Sequence, residues 1–359
     1  MKRLSILLTC IAFLSCGGSN NRIQEPNELL PYESKEVNFR SFDGEITLSG
    51  TLTTPTTDSL KTAVILISGS GPDDRDYKNQ FGHRPFLVLS HFLTQQGIAV
   101  LRYDERGVGK SGGNYEEATY ENLASDVAGG IKYLRENGFK KVGLIGHSEG
   151  GGIAPVASLQ AKTDFLVLMA ADNATADKNL IYQTGTRLKG MGVSENTSQE
   201  ILETVDTLLA IVKSEPSAAT AKTKMENVLE EKNRSATDDY KQTSQRLGDP
   251  NRLIQGFINP KFIYRLRNDP KDTFKKIRIP VLILYGDADG TVDVNANLPL
   301  IENALDSTEH DIRIFPGIGH LFMNSSGVPI EKLREIDETI APEVLSTIRN
   351  WILSKEVAR

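Results

Sequence analysis

Cysteine is scarce in this chain of 359 residues, which contains only Cys10 and Cys16, both near the N-terminus. The rest of the chain therefore offers no disulfide, no cysteine-ligated zinc site and no cysteine nucleophile. Basic residues are not in excess either, because 41 Lys and Arg stand against 47 Asp and Glu, for a formal net charge of −6. Nucleic-acid binding depends on clustered positive charge, so we set that class of partner aside.

The apolar run at the N-terminus is too short for a stable transmembrane helix. It extends from Leu4 to Leu14, interrupted only by Ser5 and Thr9, and it follows Met1-Lys2-Arg3. A charged start before a short apolar stretch is typical of a secretory signal. We therefore predict a signal peptide over residues 1–15.

The end of that run, Phe13-Leu14-Ser15-Cys16-Gly17, resembles a bacterial lipobox, in which a small residue precedes a cysteine that is lipidated. The resemblance implies an exported bacterial lipoprotein, anchored at the periplasm or the cell surface through Cys16. Plain secretion and a retained anchor are the alternatives. The polar segment 16–35 has no periodicity and predicts a flexible tether.

Apolar runs alternate with helix-like patterns through much of the chain. Asp43-Gly44, between two alternating runs, predicts an antiparallel hairpin at a sheet edge. Further strands are predicted over 63–67, 98–103, 141–145, 165–169, 281–285 and 312–315. Strands that alternate with helices imply a parallel sheet covered on both faces. The predicted fold class is α/β, with a mostly parallel, doubly wound sheet.

The alternation of strands and helices stops between about residues 174 and 272. Thr197-Ser198-Gln199-Glu200 reads as a capping box at the start of an amphipathic helix. We predict a helical cap over 174–272, inserted between two core segments, 36–173 and 273–359. Helices packed elsewhere on the core are the alternative.

Gly146-His147-Ser148-Glu149-Gly150 lies between a strand pattern and a helix pattern. A G-x-S-x-G sequence in this context predicts a nucleophile elbow, a sharp turn that presents the serine hydroxyl above the sheet. The flanking glycines leave space where side chains would collide. Ser148 is therefore the candidate nucleophile.

A serine nucleophile needs a base, and the base needs an acid to orient it. Of five histidines, only His320 follows a late strand in a glycine-bearing loop; the others lie in or before an early helix, beside the serine, or at the start of a strand (His83, His91, His147, His310). Asp287, Asp289 and Asp293 share the loop after the preceding strand, and Asp172 ends an earlier strand. A histidine that only braces its loop is the alternative for His320.

Acyl transfer also needs backbone donors for the developing oxyanion. The amide of Glu149, directly after the nucleophile, is one candidate. The second is the amide of Ser70 in the turn Ser68-Gly69-Ser70-Gly71-Pro72 after the third strand.

Gly109-Lys110-Ser111 ends like a phosphate-binding P-loop, but that motif needs glycine at position 104, where Asp104 stands. We therefore expect Asp104 and Arg106 to brace the loop beside the site by hydrogen bonding.

Three stretches, Gly69-Ser70-Gly71-Pro72-Asp73-Asp74-Arg75-Asp76, residues 102–111 and residues 146–150, together resemble a bacterial group of α/β-hydrolase carboxylesterases related to serine aminopeptidase-like hydrolases. The resemblance extends from about Val37 to Ser354 and is thin in the cap. Gly286-x-x-Asp289-x-x-Val292 resembles the acid loop of many α/β-hydrolases, which favours Asp289 over Asp287 and Asp172 as the acid.

This resemblance implies an α/β-hydrolase fold with an inserted helical cap, and a hydrolase that needs no metal and no cofactor. The expected activity is that of a serine carboxylesterase, which cleaves small acyl esters of short to medium length through an acyl-enzyme. A peptidase or a thioesterase on the same triad is the first alternative. A non-catalytic binding lipoprotein is the second, and the oligomeric state is left open.

Overall fold

The computed structural model describes residues 22–26, 29–56, 62–172, 175–328 and 330–357. Eight strands form a single sheet: β1 (Tyr32–Arg40), β2 (Thr47–Pro55), β3 (Thr62–Ile67), β4 (Ala99–Tyr103), β5 (Lys141–His147), β6 (Phe165–Met169), β7 (Val281–Gly286) and β8 (His310–Phe315). Their order across the sheet is β1-β2-β4-β3-β5-β6-β7-β8. Strand β2 pairs antiparallel with β1 and with β4, and all later pairs are parallel. The mostly parallel sheet and its edge hairpin are therefore as predicted.

The central strands are buried along their whole length. Every residue of β3, β4, β6 and β7 is buried, which accounts for their continuous apolar sequences. Five helices belong to the core: α1 (Pro85–Gln95), α2 (Tyr120–Glu136), α3 (Glu149–Gln160), α11 (Val294–Ala304) and α12 (Pro342–Val357). Because the central strands are parallel, their carboxyl ends meet at one edge of the sheet, where the loops after β3, β5, β7 and β8 converge.

Seven helices lie between β6 and β7, where the sequence predicts a cap: α4 (Ala176–Gly190), α5 (Glu195–Ser214), α6 (Ala218–Ser235), α7 (Asp238–Leu247), α8 (Pro250–Phe257), α9 (Pro260–Arg267) and α10 (Pro270–Phe274). Most of their buried apolar side chains form two clusters that are separate from the core around the sheet, whereas Phe274 of α10 belongs to that core. Among the residues described, no helix is both long and apolar enough to cross a bilayer.

Helix α5 begins three residues before the predicted capping box. Its N-cap is Ser194, whose Oγ accepts a hydrogen bond from the backbone amide of Thr197. Thr197 is therefore inside the helix, and its hydroxyl donates to the Asp239 carboxylate of α7. The earlier serine offers an equivalent cap, and contact with α7 occupies the threonine.

The flexible tether predicted over 16–35 is corrected in its second half. The amide of Gln24 donates to the Ile340 carbonyl at 2.7 Å, and the buried Glu25 carboxylate pairs with Arg84. Strand β1 already begins at Tyr32, since its pairing with β2 continues to Pro55. Polar side chains in this segment thus bind the core instead of solvent. The predicted signal peptide and Cys16 lie outside the described residues.

Close packing at Gly143 in the middle of β5 gives a test of the core. A Cβ at this position would lie 2.0 Å from the ring of Phe165 on β6. We expect Gly143→Ala to lower the free energy of unfolding by about 1–3 kcal/mol, because neither strand has room to move. In α8, a Cβ at Gly256 would meet nothing within 4 Å. The control Gly256→Ala should leave stability unchanged or raise it by about 0.5–1 kcal/mol. Urea unfolding measures both, and equal losses would contradict this account of the packing.

Candidate active site

Ser148 lies at the sharp turn between β5 and α3. Its backbone has φ 54° and ψ −119°, a region that a residue with a Cβ rarely occupies. The turn is held by hydrogen bonds on both sides, since the Ser148 amide donates to the Met169 carbonyl and the Gly151 amide donates to the Ser148 carbonyl, each at 2.9 Å. The structure therefore holds the candidate nucleophile, which is partly buried, in a strained conformation.

The glycines around Ser148 allow backbones to approach closely. A Cβ at Gly146 would lie 2.2 Å from the carbonyl oxygen of Gly150, and one at Gly150 would lie 2.3 Å from that of Ile67. Such distances are shorter than any van der Waals contact, so larger residues would push α3 away from the end of β3. The G-x-S-x-G spacing follows from this packing.

The candidate base and acid are in direct contact. His320 Nδ1 lies 2.8 Å from Asp289 Oδ2, and the Asp289 side chain is completely buried. The other oxygen, Oδ1, accepts hydrogen bonds from the backbone amides of Thr291 at 2.7 Å and Val292 at 2.9 Å. The carboxylate is therefore fixed by its own loop and can hold the His320 ring with its other oxygen.

The two alternative acids have other partners. Asp287 Oδ1 accepts a hydrogen bond at 2.7 Å from the amide of Gly317, which joins the loops after β7 and β8. The Asp172 carboxylate pairs with Arg265 of α9. Of the three aspartates considered, only Asp289 contacts the His320 ring.

Ser148 and His320 are both among the described residues, and no hydrogen bond joins the Ser148 hydroxyl to the His320 ring. The serine, the histidine and the aspartate nevertheless follow β5, β8 and β7, whose carboxyl ends lie at the same edge of the sheet, with β6 between β5 and β7. Catalytic hydrogen bonds are often long without substrate and tighten when it binds.

His147, the neighbour of the candidate nucleophile, supports the loop of His320. Its Nε2 lies 2.9 Å from the backbone carbonyl of His320, and its Nδ1 lies 3.1 Å from the Tyr77 hydroxyl. A carbonyl only accepts hydrogen bonds, so Nε2 carries the proton and Tyr77 donates to Nδ1. Burial lowers the pKa of His147 to about 3, with a further contribution from His320, so this ring is neutral. Both ring nitrogens of His147 thus have partners other than Ser148.

The turn after β3 lies against the candidate nucleophile. A Cβ at Gly69 would be 3.3 Å from the Cβ of Ser148 and 2.5 Å from the Tyr77 hydroxyl. The next residue, Ser70, is exposed at this edge of the sheet, and the amide of Gly71 is occupied by the Tyr115 hydroxyl at 2.9 Å. Glu149 is the first residue of α3, so its amide has no carbonyl partner within the helix. The two candidate oxyanion donors thus belong to residues near Ser148: Glu149 follows it in the chain, and Ser70 follows Gly69, which packs against it.

Asp104 and Arg106 stabilise the surrounding loops by hydrogen bonding, as expected from the sequence. Asp104 makes a bidentate contact with Arg75, at 3.1 Å to Nε and 2.7 Å to a terminal nitrogen. This contact orients the segment that follows the Ser70 turn. Arg106 makes a corresponding bidentate contact with the buried Asp126 of α2, at 2.6 and 2.9 Å.

Arg265 joins the cap to the residues beside Ser148. It pairs with Asp172 and lies 3.4 Å from the Glu149 carboxylate. Helix α4 contacts the acid loop, because Tyr182 donates to the Asp289 carbonyl at 3.2 Å and Gln183 to the Thr291 carbonyl at 3.1 Å. The cap therefore rests on the same loops that carry the candidate triad.

Two carboxyl groups, the buried Glu105 and the partly buried Asp73, lie beside the Ser70 turn. Burial raises the pKa of Glu105 to about 8, although a hydrogen bond of 2.9 Å from the Ser68 hydroxyl acts to lower it. Burial, with the charges of Asp74 and Glu149, raises the pKa of Asp73 to about 7. Carboxylates crowded in this way disfavour one another's ionised form.

Sequence reasoning missed Tyr77, Arg265 and Glu105. Tyr77 directly follows the Gly69–Asp76 stretch, but no local pattern connects it to His147, which is 70 positions away. Arg265 is one of several arginines in a cap without a recognisable motif. Glu105 lies in the motif-bearing stretch 102–111, directly after Asp104, and that position was the only sequence feature that could have drawn attention to it.

Comparison with known proteins identifies the relatives of this chain. A family model described as Serine aminopeptidase, S33, matches residues 85–326. Esterase EstD of Thermotoga maritima is 22% identical over 319 residues, which cover 87% of this chain, and the chain spans 66% of the length of EstD.

Solved structures show the same fold. The esterase Pf2001 of Pyrococcus furiosus has a TM-score of 0.54 at 17% identity, with 93% of this chain and 98% of that one covered. The α/β hydrolase GrgF from Penicillium sp. sh18 has a TM-score of 0.52 at 16% identity, with 90% and 97% covered. At these identities the likeness concerns the fold, and the predicted α/β-hydrolase fold is confirmed.

The raised pKa of Glu105 predicts a pH-dependent cost to stability. In the unfolded chain the carboxyl ionises near pH 4.5, whereas the native state keeps its proton to about pH 8. The native state thus binds more protons in this interval, and its stability falls as the pH rises through it. We expect the neutral variant Glu105→Gln to gain roughly 2–4 kcal/mol over wild type between pH 5 and pH 9.

Urea unfolding at both pH values measures this gain, and the exposed Glu33→Gln serves as control. Any cost of the new amide group is independent of pH and cancels in the comparison. An equal difference between Glu105→Gln and wild type at pH 5 and pH 9 would contradict the assignment.

Proposed function

Because the chain belongs to the serine aminopeptidase S33 family of hydrolases, whose model matches residues 85–326, we propose that it is a serine carboxylesterase. Ser148 is the nucleophile, His320 the base and Asp289 the acid that orients the base. The observation that carries the proposal is the 2.8 Å contact between His320 Nδ1 and a completely buried Asp289 carboxylate, on loops beside a strained serine.

The reaction would proceed through two half-reactions. His320 Nε2 takes the proton from Ser148 Oγ while that oxygen attacks the ester carbonyl carbon. The tetrahedral oxyanion receives hydrogen bonds from the amides of Ser70 and Glu149. When it collapses, the ester C–O bond breaks, the alcohol leaves with the proton from His320, and an acyl-enzyme remains. Water, deprotonated by His320, then releases the carboxylic acid and restores the serine.

Two considerations favour esters over peptides. Both esterase EstD and the esterase Pf2001 are named for ester hydrolysis. An aminopeptidase also has to hold a free amino terminus, and the carboxylates beside Ser148 that could bind one, Glu149 and Asp172, are both in contact with Arg265. Peptidase activity, which the family description names, and thioester hydrolysis remain alternatives on the same residues. We propose small acyl esters of short to medium length as substrates.

We further propose that the enzyme is exported and anchored by a lipid on Cys16. The support is the N-terminal sequence alone, namely a charged start, a short apolar run and a small residue before the cysteine. The anchor would hold the enzyme at the periplasmic or outer face of a membrane.

Substrate profiling tests the proposed activity. We expect the purified protein to hydrolyse p-nitrophenyl esters, with turnover falling as the acyl chain lengthens from acetyl to decanoyl, and to be inactive on aminoacyl p-nitroanilides. Ser148→Ala should lower kcat by roughly 10⁴–10⁶-fold. Turnover of the anilides without the esters would move the protein to the peptidases, and a tenth of the wild-type rate in Ser148→Ala would rule out this serine.

The acid can be tested with a matched pair of variants. In Asp289→Asn the amide oxygen is expected to keep the hydrogen bonds from Thr291 and Val292, so the amide nitrogen faces His320 Nδ1. The ring then adopts the tautomer with the proton on Nε2, which cannot accept a proton from Ser148, and kcat should fall by about 10⁴-fold. In Asp287→Asn the oxygen still accepts from Gly317, so kcat should stay close to wild type. Comparable losses in the two variants would contradict the role of Asp289.

Lipidation predicts a change of compartment on substitution of one cysteine. Cys16→Ser should abolish incorporation of a labelled fatty acid and move the protein from the membrane fraction to the soluble fraction. Cys10→Ser, within the predicted signal peptide, should still incorporate the labelled fatty acid and remain in the membrane fraction. A Cys16→Ser protein that still carries the label would disprove the proposed anchor.

A further inference from the structure

A cavity of about 580 Å³ lies inside the cap, between helices α4, α5, α6, α7 and α8. This volume falls within the roughly 300–1,000 Å³ of small-molecule sites. None of Ser148, Asp289 and His320 lines it. The cavity is therefore a space separate from the candidate triad.

The cavity interrupts the apolar core of the cap. The lining carries apolar side chains of both clusters of the cap: Val205 and Leu208 belong to the larger cluster, and Ile201 and Tyr240 belong to the smaller one. Leu180, Leu229, Leu247 and Leu253 complete the apolar lining. Apolar side chains that line an open space stay in contact with water, which costs about 25 cal/mol per Å². An alkyl chain in the cavity would cover the apolar side chains of both clusters.

The charged groups of the lining are mainly positive. Arg187 of α4 and Arg252 of α8 are both exposed at the cavity, and neither forms an ion pair within the described residues. Arg187 makes only a long hydrogen bond of 3.4 Å to the Arg246 carbonyl. The single lining carboxylate, Asp249, accepts the Asn251 amide at 2.9 Å as the N-cap of α8. Two unpaired guanidinium groups at an apolar cavity are complementary to a ligand with an apolar tail and an anionic head.

We propose that this cavity binds a fatty carboxylate, with the alkyl chain against the apolar side chains that both clusters of the cap contribute to the lining and the carboxylate at Arg187 and Arg252. No bond forms or breaks there. Gln183 lines the cavity and also donates to the Thr291 carbonyl in the acid loop, so one residue of α4 contacts both the ligand space and the loop of Asp289. The binding site does not depend on the proposed esterase activity.

Isothermal titration calorimetry with octanoate, decanoate and dodecanoate, each below its micelle concentration, tests binding to the purified protein. Each methylene that is buried contributes about 0.8 kcal/mol, so the affinity should rise about four-fold per methylene until the cavity is filled. Dodecanol, which has the same chain without the charge, should bind about ten-fold more weakly than dodecanoate.

Two variants locate the site. Val205→Trp fills the cavity and should abolish dodecanoate binding. Arg187→Gln/Arg252→Gln keeps the packing and should weaken dodecanoate about ten-fold while dodecanol binding is unchanged. The matched control is Arg234→Gln, at an exposed residue of α6 that does not line the cavity. It should bind dodecanoate with the affinity of the wild type. The arginine variants should retain ester hydrolysis, which separates this test from that of the proposed function.

Two results would overturn the proposal. One is the absence of any dodecanoate binding by the folded wild-type protein. The other is dodecanoate binding of unchanged affinity in the double arginine variant, or in a folded Val205→Trp protein, because the ligand would then bind elsewhere.

Discussion

The turn at Ser148 is a conformation that the chain would not adopt without its surroundings. A left-handed backbone at a residue with a Cβ costs of the order of 1–3 kcal/mol, and it persists only where neighbouring contacts enforce it. Here the enforcement comes from the sheet, because the Ser148 amide is bound to the Met169 carbonyl at the end of β6. It also comes from α3, whose first turn fits against the end of β3 only because Gly150 has no side chain. Burial of the central strands thus holds the strained serine in place.

The other members of the site depend on the same sheet edge but are fixed by loops that support one another. Asp289 is held by amides of its own loop, and the loop of His320 is held by the His147 ring, which is adjacent in sequence to Ser148. The cap adds a third layer, since Arg265 reaches the carboxylates on either side of the serine. The acids beside the Ser70 turn lower stability at neutral pH, as strained or charged active sites commonly do. The site is therefore a property of several packed layers and not of one motif.

Local patterns were sufficient to predict the sheet, its edge hairpin and the elbow, because buried strands, Asp-Gly turns and G-x-S-x-G each carry their physical cause within a few residues. The α/β-hydrolase fold was implied by the resemblance of three stretches to that family. The strand context was sufficient to name Ser148 and His320, and the resemblance of the loop after β7 to the acid loop of α/β-hydrolases favoured Asp289; their catalytic roles remain predictions. Contacts between distant segments were not predictable. Gln24 binds residues more than 300 positions away, and Arg265 reaches Glu149 across 116 positions, with no pattern at either end to connect them. The start of α5 was misplaced because Ser194 and Thr197 both have the chemistry of a cap.

The central claim is that the elbow holds an activated serine, and covalent labelling tests it most directly. The purified protein would be treated with a diethyl p-nitrophenyl phosphate ester, digested and analysed by mass spectrometry, beside a sample unfolded in urea. The account predicts that Ser148 is the only residue labelled in the folded protein. The sample unfolded in urea should not be labelled, and labelling of Asp289→Asn should be much slower. A folded protein that remains unlabelled, or that carries the label at another residue, would contradict it.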